Sequence, residues 1–270
     1  EVIYLNVSQN GSLDYDQLDS LLEDNSQKTL VSLMYGNNEI GTILDLERVS
    51  AACAQAKDVY FHTDAVQAIG KYDIDLSDTP VSFLTGTAHK FHGPKGIGFF
   101  YMNSDNILQP FIHGGAQERN MRAGTENIIG IAGMAEALDI CLEERESIHA
   151  HLDKLRSRFT TRLTEEFDDV RVNGHPDNYM PHVASISFPA SPKVSMLMFN
   201  LDIAGVSASS GSACSSGIEK GSHVLSAIDH DPNRKTVRFS FSKFNTLEEV
   251  DEVIEKLKTM TPVRSLHATS

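Results

Sequence analysis

The first half of the chain alternates patterns of buried β-strands with a pattern of an amphipathic helix, and this order restricts the fold more than any other feature. The strand patterns lie at 2–7, 28–35, 59–64, 81–86 and 96–102. The helix pattern covers 45–57. Strands joined through helices pair in parallel with right-handed crossovers. We therefore predict an α/β fold whose large domain contains a largely parallel sheet.

The second half predicts a smaller domain. A proline-free stretch from Glu126 to about Phe167 indicates one long helix or two consecutive helices that link the domains. Beyond it, strand patterns at 169–174, 182–189 and 236–242 alternate with helix patterns at 191–202 and 246–260. Thr246 and Glu249 have the spacing of a capping box. We predict a large domain over 1–141 and a C-terminal α+β domain over 142–270.

The charge and the cysteine content exclude several classes of protein. The 270 residues include 23 basic and 37 acidic side chains, a net charge of −14, which argues against nucleic acid or an anionic membrane as partner. No apolar run reaches the length of a membrane span. Three cysteines cannot form a dense disulfide framework, which predicts a cytoplasmic location.

Cys214 lies in the segment ASSGSACSSG, in which nine of ten residues are Ala, Ser or Gly. Such residues neither fill a core nor favour a long helix, so the segment predicts a mobile and partly exposed loop. A thiol there is either a reactive nucleophile or an incidental member of a flexible loop, and the segment alone supports both readings equally. Cys53 and Cys141 lie in helical patterns and are interpreted as packing residues.

Polar residues follow two of the predicted strands, at the edge where a parallel sheet binds ligands. Asp64 and Gln67 follow the strand 59–64, and their spacing of three lets both face one ligand. The alternative for Asp64 is a cap on a following helix. The next strand is followed by TGTAHKFHGPKGIG, which contains Thr87 and His89.

Lys90 stands in the same segment, after an apolar strand and a turn of small residues. An ammonium there can be partly desolvated, its pKa lowered and its amine made available for a Schiff base. The alternative is a solvated turn lysine, which describes Lys95 better. His89 and His92 allow a zinc interpretation, but no further ligands follow at a recognisable spacing, so we expect no metal.

Six segments resemble, in the same order, the motifs of the NifS-type cysteine desulfurases, which are pyridoxal-phosphate enzymes of aminotransferase fold type I, class V. The segments are NNEIG, HTDAVQAIGK, TAHKFHGPKGIGFFY, GGAQERNMRAGTEN, SSGSACSSG and VRFSFSKF. The resemblance extends from Glu1 to about Met260. It implies the fold of these enzymes, pyridoxal 5'-phosphate as cofactor, L-cysteine as substrate, a homodimer, and a sulfur-acceptor or scaffold protein of iron–sulfur cluster assembly or another sulfur-transfer pathway.

The resemblance also implies which residues bind the cofactor. Lys90 is similar to the lysine that binds pyridoxal phosphate covalently, and Asp64 matches the carboxylate that pairs with the protonated ring nitrogen. Further cofactor contacts are implied for Asn38, Gln67, Thr87, His89 and Thr125. Of these, Thr125 resembles the residue that reaches the phosphate of the partner subunit's cofactor.

The substrate contacts follow in the same way. Arg238 matches the arginine that binds the substrate carboxylate, and Asn38 also contacts the substrate. The alternative for Arg238 is a surface charge at a strand end. Cys214 resembles the nucleophile whose thiolate takes the substrate sulfur as a persulfide, while Lys90 removes the α-proton.

The family has a segment before the point where this chain starts, with a phosphate-binding turn and a ring-stacking histidine that this sequence does not show. We therefore expect this chain alone to bind pyridoxal phosphate weakly or not at all. Two alternatives stay open: a selenocysteine or cystine lyase of the same fold, and a non-catalytic fragment without a complete cofactor site. Cys214 favours the desulfurase, because elimination of sulfur needs no protein nucleophile.

Overall fold

The structure, a computed structural model, describes residues 1–23, 26–210 and 221–264. Packing contacts divide the chain into two compact units. Unit 1 comprises Glu1–Gln17, Asn37–Leu44 and Glu146–Ser270, and unit 2 comprises Leu18–Gly36 and Asp45–Arg145. No helix in the described part of the chain is both long and apolar enough to cross a membrane.

Unit 2 contains a four-stranded sheet in the order β1-β2-β3-β4. The strands are β1 (Thr29–Met34), β2 (Val59–Asp64), β3 (Phe83–Thr87) and β4 (Gly98–Met102). The first three strands are parallel, and β4 pairs with β3 in the antiparallel direction. In the register, Asp64 lies opposite Met34 on one side and Thr85 on the other. The prediction of a largely parallel sheet is confirmed, and the carboxyl ends of its parallel strands share one edge.

The helix between β1 and β2 is also confirmed. It is α2 (Leu46–Gln55), and it begins at Asp45, whose carboxylate accepts a hydrogen bond from the Arg48 N–H at 3.0 Å. Its inner face buries Val49 and Cys53. Burial raises the pKa of the Cys53 thiol to about 11, so this thiol is a packing group, as interpreted from the sequence.

Unit 1 contains a three-stranded antiparallel sheet in the order β5-β6-β7. The strands are β5 (Arg171–Asn173), β6 (Val183–Phe188) and β7 (Lys235–Ser240), and the helices are α4 (Leu197–Ile203), α5 (His223–Ala227) and α6 (Leu247–Met260). The predicted capping box of α6 is present, since Glu249 N–H donates to Thr246 and Thr246 N–H donates to Glu249, at 3.2 and 3.0 Å. The core of the unit is formed by fully buried side chains, including Leu155, Phe159, Leu163, Ile186, Phe188, Leu197 and Ile254.

A single helix, α3 (Ile128–Glu166), occupies the proline-free stretch and is 39 residues long. Its first part belongs to unit 2 and the part from Glu146 belongs to unit 1. The units defined by contacts therefore change four residues after the predicted boundary, and unit 1 also includes Glu1–Gln17 and Asn37–Leu44. The functional division into a cofactor domain over 1–141 and a cysteine-bearing domain over 142–270 stays a prediction.

The first residues do not form the strand that their apolar pattern predicted. Val2, Ile3 and Tyr4 are exposed, and Val7 makes only an isolated bridge with Leu13. The pattern was wrong because a strand needs a neighbour to take its backbone hydrogen bonds. Two helices were missed: α1 (Tyr15–Glu23) and α5, of nine and five residues, are too short for a periodicity to stand out.

Candidate active site

The carboxyl edge of the parallel strands in unit 2 brings several predicted cofactor residues together. Asp64 is the last residue of β2, and Thr87 is the last residue of β3, two positions beyond the Thr85 that pairs with Asp64. Directly after β2, the Ala65 N–H donates a hydrogen bond to the Thr85 carbonyl of β3, at 3.0 Å. Asp64 and Thr87 therefore lie at the same edge, which is where open parallel sheets bind their ligands.

The segment after β2 is a tight turn. One Asp64 carboxylate oxygen, Oδ1, accepts the Val66 N–H at 2.9 Å, and the N–H groups of Ala68 and Ile69 both donate to the Ala65 carbonyl, at 2.8 and 3.0 Å. Asp64 thus caps a turn and not the helix that its alternative interpretation required. Gln67 lies within this turn and is half-buried. Both predicted side chains therefore belong to one hydrogen-bonded turn at the sheet edge.

Thr87 and His89 form a polar pair at the end of β3. The Thr87 Oγ1 lies 3.0 Å from Nδ1 of His89, and it donates to the carbonyl of Ile97 at 3.2 Å. His89 is exposed and Thr87 is half-buried. The Nε2 of His89 can donate to an anionic oxygen, and the Thr87 hydroxyl can do the same when its single hydrogen turns from the Ile97 carbonyl, which is the chemistry that a phosphate group requires.

Lys90 ends the 3₁₀ turn Ala88–Lys90 that follows β3, and its side chain is exposed. The partial desolvation expected of Lys90 is therefore not seen in the chain without cofactor, and its role stays a prediction. Lys95 is exposed as well, so exposure does not distinguish the two lysines.

A half-buried lysine, Lys71, lies beside this segment and was missed from the sequence. Its Nζ donates to the backbone carbonyl of Lys90 at 2.8 Å. Burial lowers the pKa of Lys71 to about 8, and the charge of Lys90 acts in the same direction while Cys141 opposes it. Lys71 is the last residue of the HTDAVQAIGK segment, directly after Ile69 and Gly70, but no local pattern indicated its burial.

Two predicted residues are not brought to this edge by any described contact. Thr125 is exposed in the segment before α3, and none of the hydrogen bonds among the described residues joins it to Asp64 or Lys90. Cys214 lies outside the described residues, within the gap from 211 to 220. Their roles stay predictions. Among the residues that the structure describes, no group of three or more His, Cys, Asp and Glu is arranged to hold a metal ion.

A second polar cluster lies in unit 1, where β7 meets the NNEIG turn. Arg238 donates from Nη1 to the backbone carbonyl of Asn38 at 2.7 Å. The Arg238 Nε is buried and has no acceptor among the described residues. A half-buried guanidinium fixed in this way is not the solvated charge of the alternative interpretation. The edge formed by Nε and Nη2 is left to bind another acceptor.

Hydrogen bonds hold the NNEIG turn and link it to residues on both sides of the gap from 211 to 220. Asn37 Oδ1 accepts the N–H groups of Glu39 and Ile40 at 2.9 and 3.0 Å. Glu39 is buried, and Ser222, the first described polar side chain after the gap, donates to its Oε2 at 2.5 Å. Before the gap, Ser209 exchanges two backbone hydrogen bonds with Arg238, at 2.7 and 3.1 Å.

Comparison with known proteins identifies clear relatives. The sequence profile of the aminotransferase class-V family matches residues 1–253. The chain is 38% identical over 273 aligned positions to the cysteine desulfurase IscS of Dictyoglomus turgidum, covering 98% of this chain and 68% of that protein. It is 39% identical over 255 positions to the cysteine desulfurase NifS of Azotobacter vinelandii, covering 94% and 62%.

The fold also resembles that of known NifS-like proteins. A NifS-like protein of known structure has a TM-score of 0.86 to this chain at 34% identity, over 96% of this chain and 67% of that one. The chain spans about two thirds of the length of the curated relatives that it matches.

Proposed function

This chain belongs to the aminotransferase class-V family and, within it, to the cysteine desulfurases, and we propose that it converts L-cysteine to L-alanine with transfer of the sulfur to Cys214 as a persulfide. One observation carries this function: a carboxylate, a hydroxyl, an imidazole and a primary amine follow two adjacent parallel strands at one sheet edge. They are Asp64, Thr87, His89 and Lys90.

This donor set fits pyridoxal phosphate. When bound, the cofactor supplies an electron sink for the carbon skeleton of the substrate. The exposed amine of Lys90 is available to its aldehyde, the carboxylate of Asp64 suits a protonated ring nitrogen, and Thr87 with His89 suits the phosphate. Gln67 and Asn38 are proposed as further polar contacts to the cofactor, Asn38 also to the substrate.

Arg238 binds the carboxylate of cysteine. Its Nη1 already donates a hydrogen bond to the Asn38 carbonyl, which fixes the plane of the guanidinium. The buried Nε and its neighbour Nη2 form the edge that has no described acceptor. A carboxylate with two parallel N–H···O bonds matches that edge, and a lysine at this position does not offer the same fork.

Lys90 transfers the proton of the substrate, and Cys214 accepts its sulfur. The Lys90 amine removes the α-proton of the bound cysteine, and the Cys214 thiolate attacks the substrate sulfur. An S–S bond forms as the C–S bond breaks, its electron pair stays with the carbon skeleton, and protonation of that skeleton gives L-alanine. The persulfide then passes to a sulfur-acceptor or scaffold protein in the cytoplasm.

A homodimer completes the proposal, with Thr125 reaching the cofactor of the second subunit. Large apolar side chains are exposed on both sides of Thr125 in the sequence, where a monomer would leave them in water: Ile107, Phe111, Ile128 and Ile129 are between 73% and 94% exposed. Their exposure supports an apolar contact between subunits next to Thr125.

The test is a single turnover with L-cysteine in the absence of reductant, with the pyridoxal phosphate concentration raised until the weak binding expected of this chain is saturated. We expect alanine and a persulfide on the Cys214 peptide in equal amounts, measured by amino-acid analysis and mass spectrometry. Alanine without persulfide, or pyruvate as the carbon product, would contradict a desulfurase. Parallel reactions with selenocysteine and cystine test the lyase alternative, since a lyase releases its product from those substrates without modifying Cys214.

A further inference from the structure

Three carbonyl groups in and directly after the turn that carries Lys90 accept hydrogen bonds. Ala88 accepts the N–H groups of Phe91 and Gly93, at 3.0 and 2.9 Å. The Lys90 carbonyl accepts the ammonium of Lys71 at 2.8 Å. The Phe91 carbonyl accepts the thiol of Cys141 at 3.4 Å. Two of these donors are side chains from other segments, so the turn is held from outside itself.

The surrounding packing leaves little space for this turn to move. Ala88, Phe91 and Cys141 form one buried cluster. Gly70 has a φ of +75°, and a Cβ at this position would lie 3.1 Å from the Cys141 Cβ and 3.3 Å from the Phe91 Cβ. The turn that begins at Asp64 therefore lies directly against the turn that carries Lys90, and Lys71 follows the closest point of contact.

The backbone after Lys90 is in a conformation that needs support. His92 has a φ of +66°, the left-handed region that a residue with a Cβ occupies at a cost. Such a residue stays there only when the contacts around it determine the conformation. Lys71 and Cys141, which bind the two carbonyls before His92, provide such contacts.

Lys71 is a poor choice for packing alone. Partial burial of its ammonium disfavours the charged form and lowers its pKa to about 8, so the group remains mainly protonated at neutral pH. A methionine has a similar stem and carries no such cost. What the ammonium adds is the hydrogen bond to the Lys90 carbonyl.

We propose that Lys71 is a positioning residue. It holds the Ala88–Lys90 turn through the Lys90 carbonyl and so fixes the backbone position from which the Lys90 side chain extends. This role rests on the proposed function of Lys90. Lys71 links the turn after β2, with Asp64 and Gln67, to the turn after β3, with Thr87, His89 and Lys90. Lys71 therefore sets the spacing between Asp64, which is proposed to bind the ring nitrogen of the cofactor, and Lys90, which is proposed to bind its aldehyde.

The first measurement is hydrogen exchange at the amides of residues 88–93, in the protein without added cofactor. In Lys71→Met we expect these amides to exchange about tenfold faster, because the hydrogen bond from Lys71 to the Lys90 carbonyl of their turn is lost. Lys71→Arg retains a donor and should restore the wild-type rate. Lys95→Met, which removes an exposed lysine from the same segment, is the control and should leave exchange unchanged.

The second measurement is trapping of pyridoxal phosphate with borohydride, followed by peptide mapping. Trapping at Lys90 should be about tenfold slower in Lys71→Met than in wild type and in Lys71→Arg. Lys71→Gln, a shorter neutral donor, gives a second folded variant and should lie between them. Unfolding curves at pH 7 establish that each variant is folded.

The outcomes separate the two proposals. Unchanged exchange at 88–93 and unchanged trapping at Lys90 in Lys71→Met would overturn the role of Lys71 alone. Trapping of wild type at a different lysine would overturn the assignment of Lys90, and the proposed function with it. Loss of protection throughout unit 2 in Lys71→Met would mean that Lys71 supports the whole fold, which also overturns a local positioning role.

Discussion

Arg238 and Asn38 stand 200 residues apart in the sequence and are joined by a hydrogen bond of 2.7 Å, from the Nη1 of the arginine to the backbone carbonyl of the asparagine. Both were predicted as substrate contacts. The bond uses one side of the guanidinium and leaves Nε and Nη2 on the other side. Ground-state binding of the substrate carboxylate is thus assigned to a group whose orientation is already fixed.

Replacing Arg238 by lysine should raise the KM for L-cysteine and lower kcat much less. The lysine keeps the charge but loses the fork, a loss of about 2–4 kcal/mol, or roughly 30-fold to 1000-fold in kcat/KM. Steady-state kinetics of alanine formation measure this. Arg171→Lys, at an exposed arginine of the same unit, is the control. An Arg238→Lys enzyme with the wild-type KM would exclude a carboxylate contact.

Lys90→Ala should abolish attachment of the cofactor and removal of the α-proton, whereas Lys95→Ala should change little. Both lysines are exposed in the same segment, so they form a matched pair. Borohydride trapping and deuterium exchange at the α-carbon of cysteine report the two functions separately. Equal losses in the two variants would show that Lys90 is the wrong lysine.

Cys214→Ala should leave the binding of cofactor and L-cysteine intact and abolish persulfide formation, because the residues proposed to bind them are Lys90, Asp64 and Arg238. Absorbance of the bound cofactor and mass spectrometry of the 208–217 peptide check the two parts. Cys53→Ala, which removes a buried packing thiol, is the control for loss of a cysteine. Sulfide release at the wild-type rate from Cys214→Ala, without added reductant, would contradict a nucleophilic role.

Because of Lys71, the free energy of unfolding should increase as the pH rises. Its folded-state pKa of about 8 lies below the 10.5 of an unfolded lysine, so between these values the unfolded chain binds more protons and the free energy of unfolding increases with pH. The gain is of the order of 3 kcal/mol before solvent screening reduces it. Denaturation of wild type and Lys71→Met at pH 7 and pH 10 measures the difference. A gap between the two proteins that is independent of pH would contradict the shifted pKa.

Ser222→Ala should destabilise unit 1 by about 2–4 kcal/mol. It removes the cap of α5, where Ser222 accepts the Leu225 N–H at 3.1 Å, and it leaves the buried Glu39 carboxylate without its hydroxyl donor. A cycle with Glu39→Gln, analysed by denaturation, isolates the pair. Additive losses in the double variant would show that the two side chains do not interact.

The sequence was sufficient for the elements with strong local patterns. The strand 59–64 and the capping box at Thr246 were predicted at the observed residues, because an apolar strand with a polar end and a T-x-x-E spacing are local properties. The strand at 2–7 failed, because pairing depends on a neighbour elsewhere in the chain. Parallel pairing in turn predicted that Asp64 and Thr87 would share an edge.

Burial at the candidate site was harder to predict. The exposure of Lys90 and the burial of Lys71 depend on how two turns pack against each other, and each turn alone allows either lysine to be solvated. The link from Glu39 to Ser222 also spans 183 residues, beyond the reach of any local pattern. Such contacts follow from tertiary packing and have no local signature.

The make-up of unit 1 from separated segments sets an order of events during synthesis. The NNEIG turn leaves the ribosome well before its later contacts, since Ile43 receives the hydrogen bond of Asn178 only 135 residues later. At about 5–20 residues per second, that interval is roughly 7 to 27 seconds. During it, unit 1, in which Ile40 is buried, is still incomplete. The nascent chain must therefore hold the Ile40 side chain and the Glu39 carboxylate outside their final buried environment until the later segments of unit 1 are made.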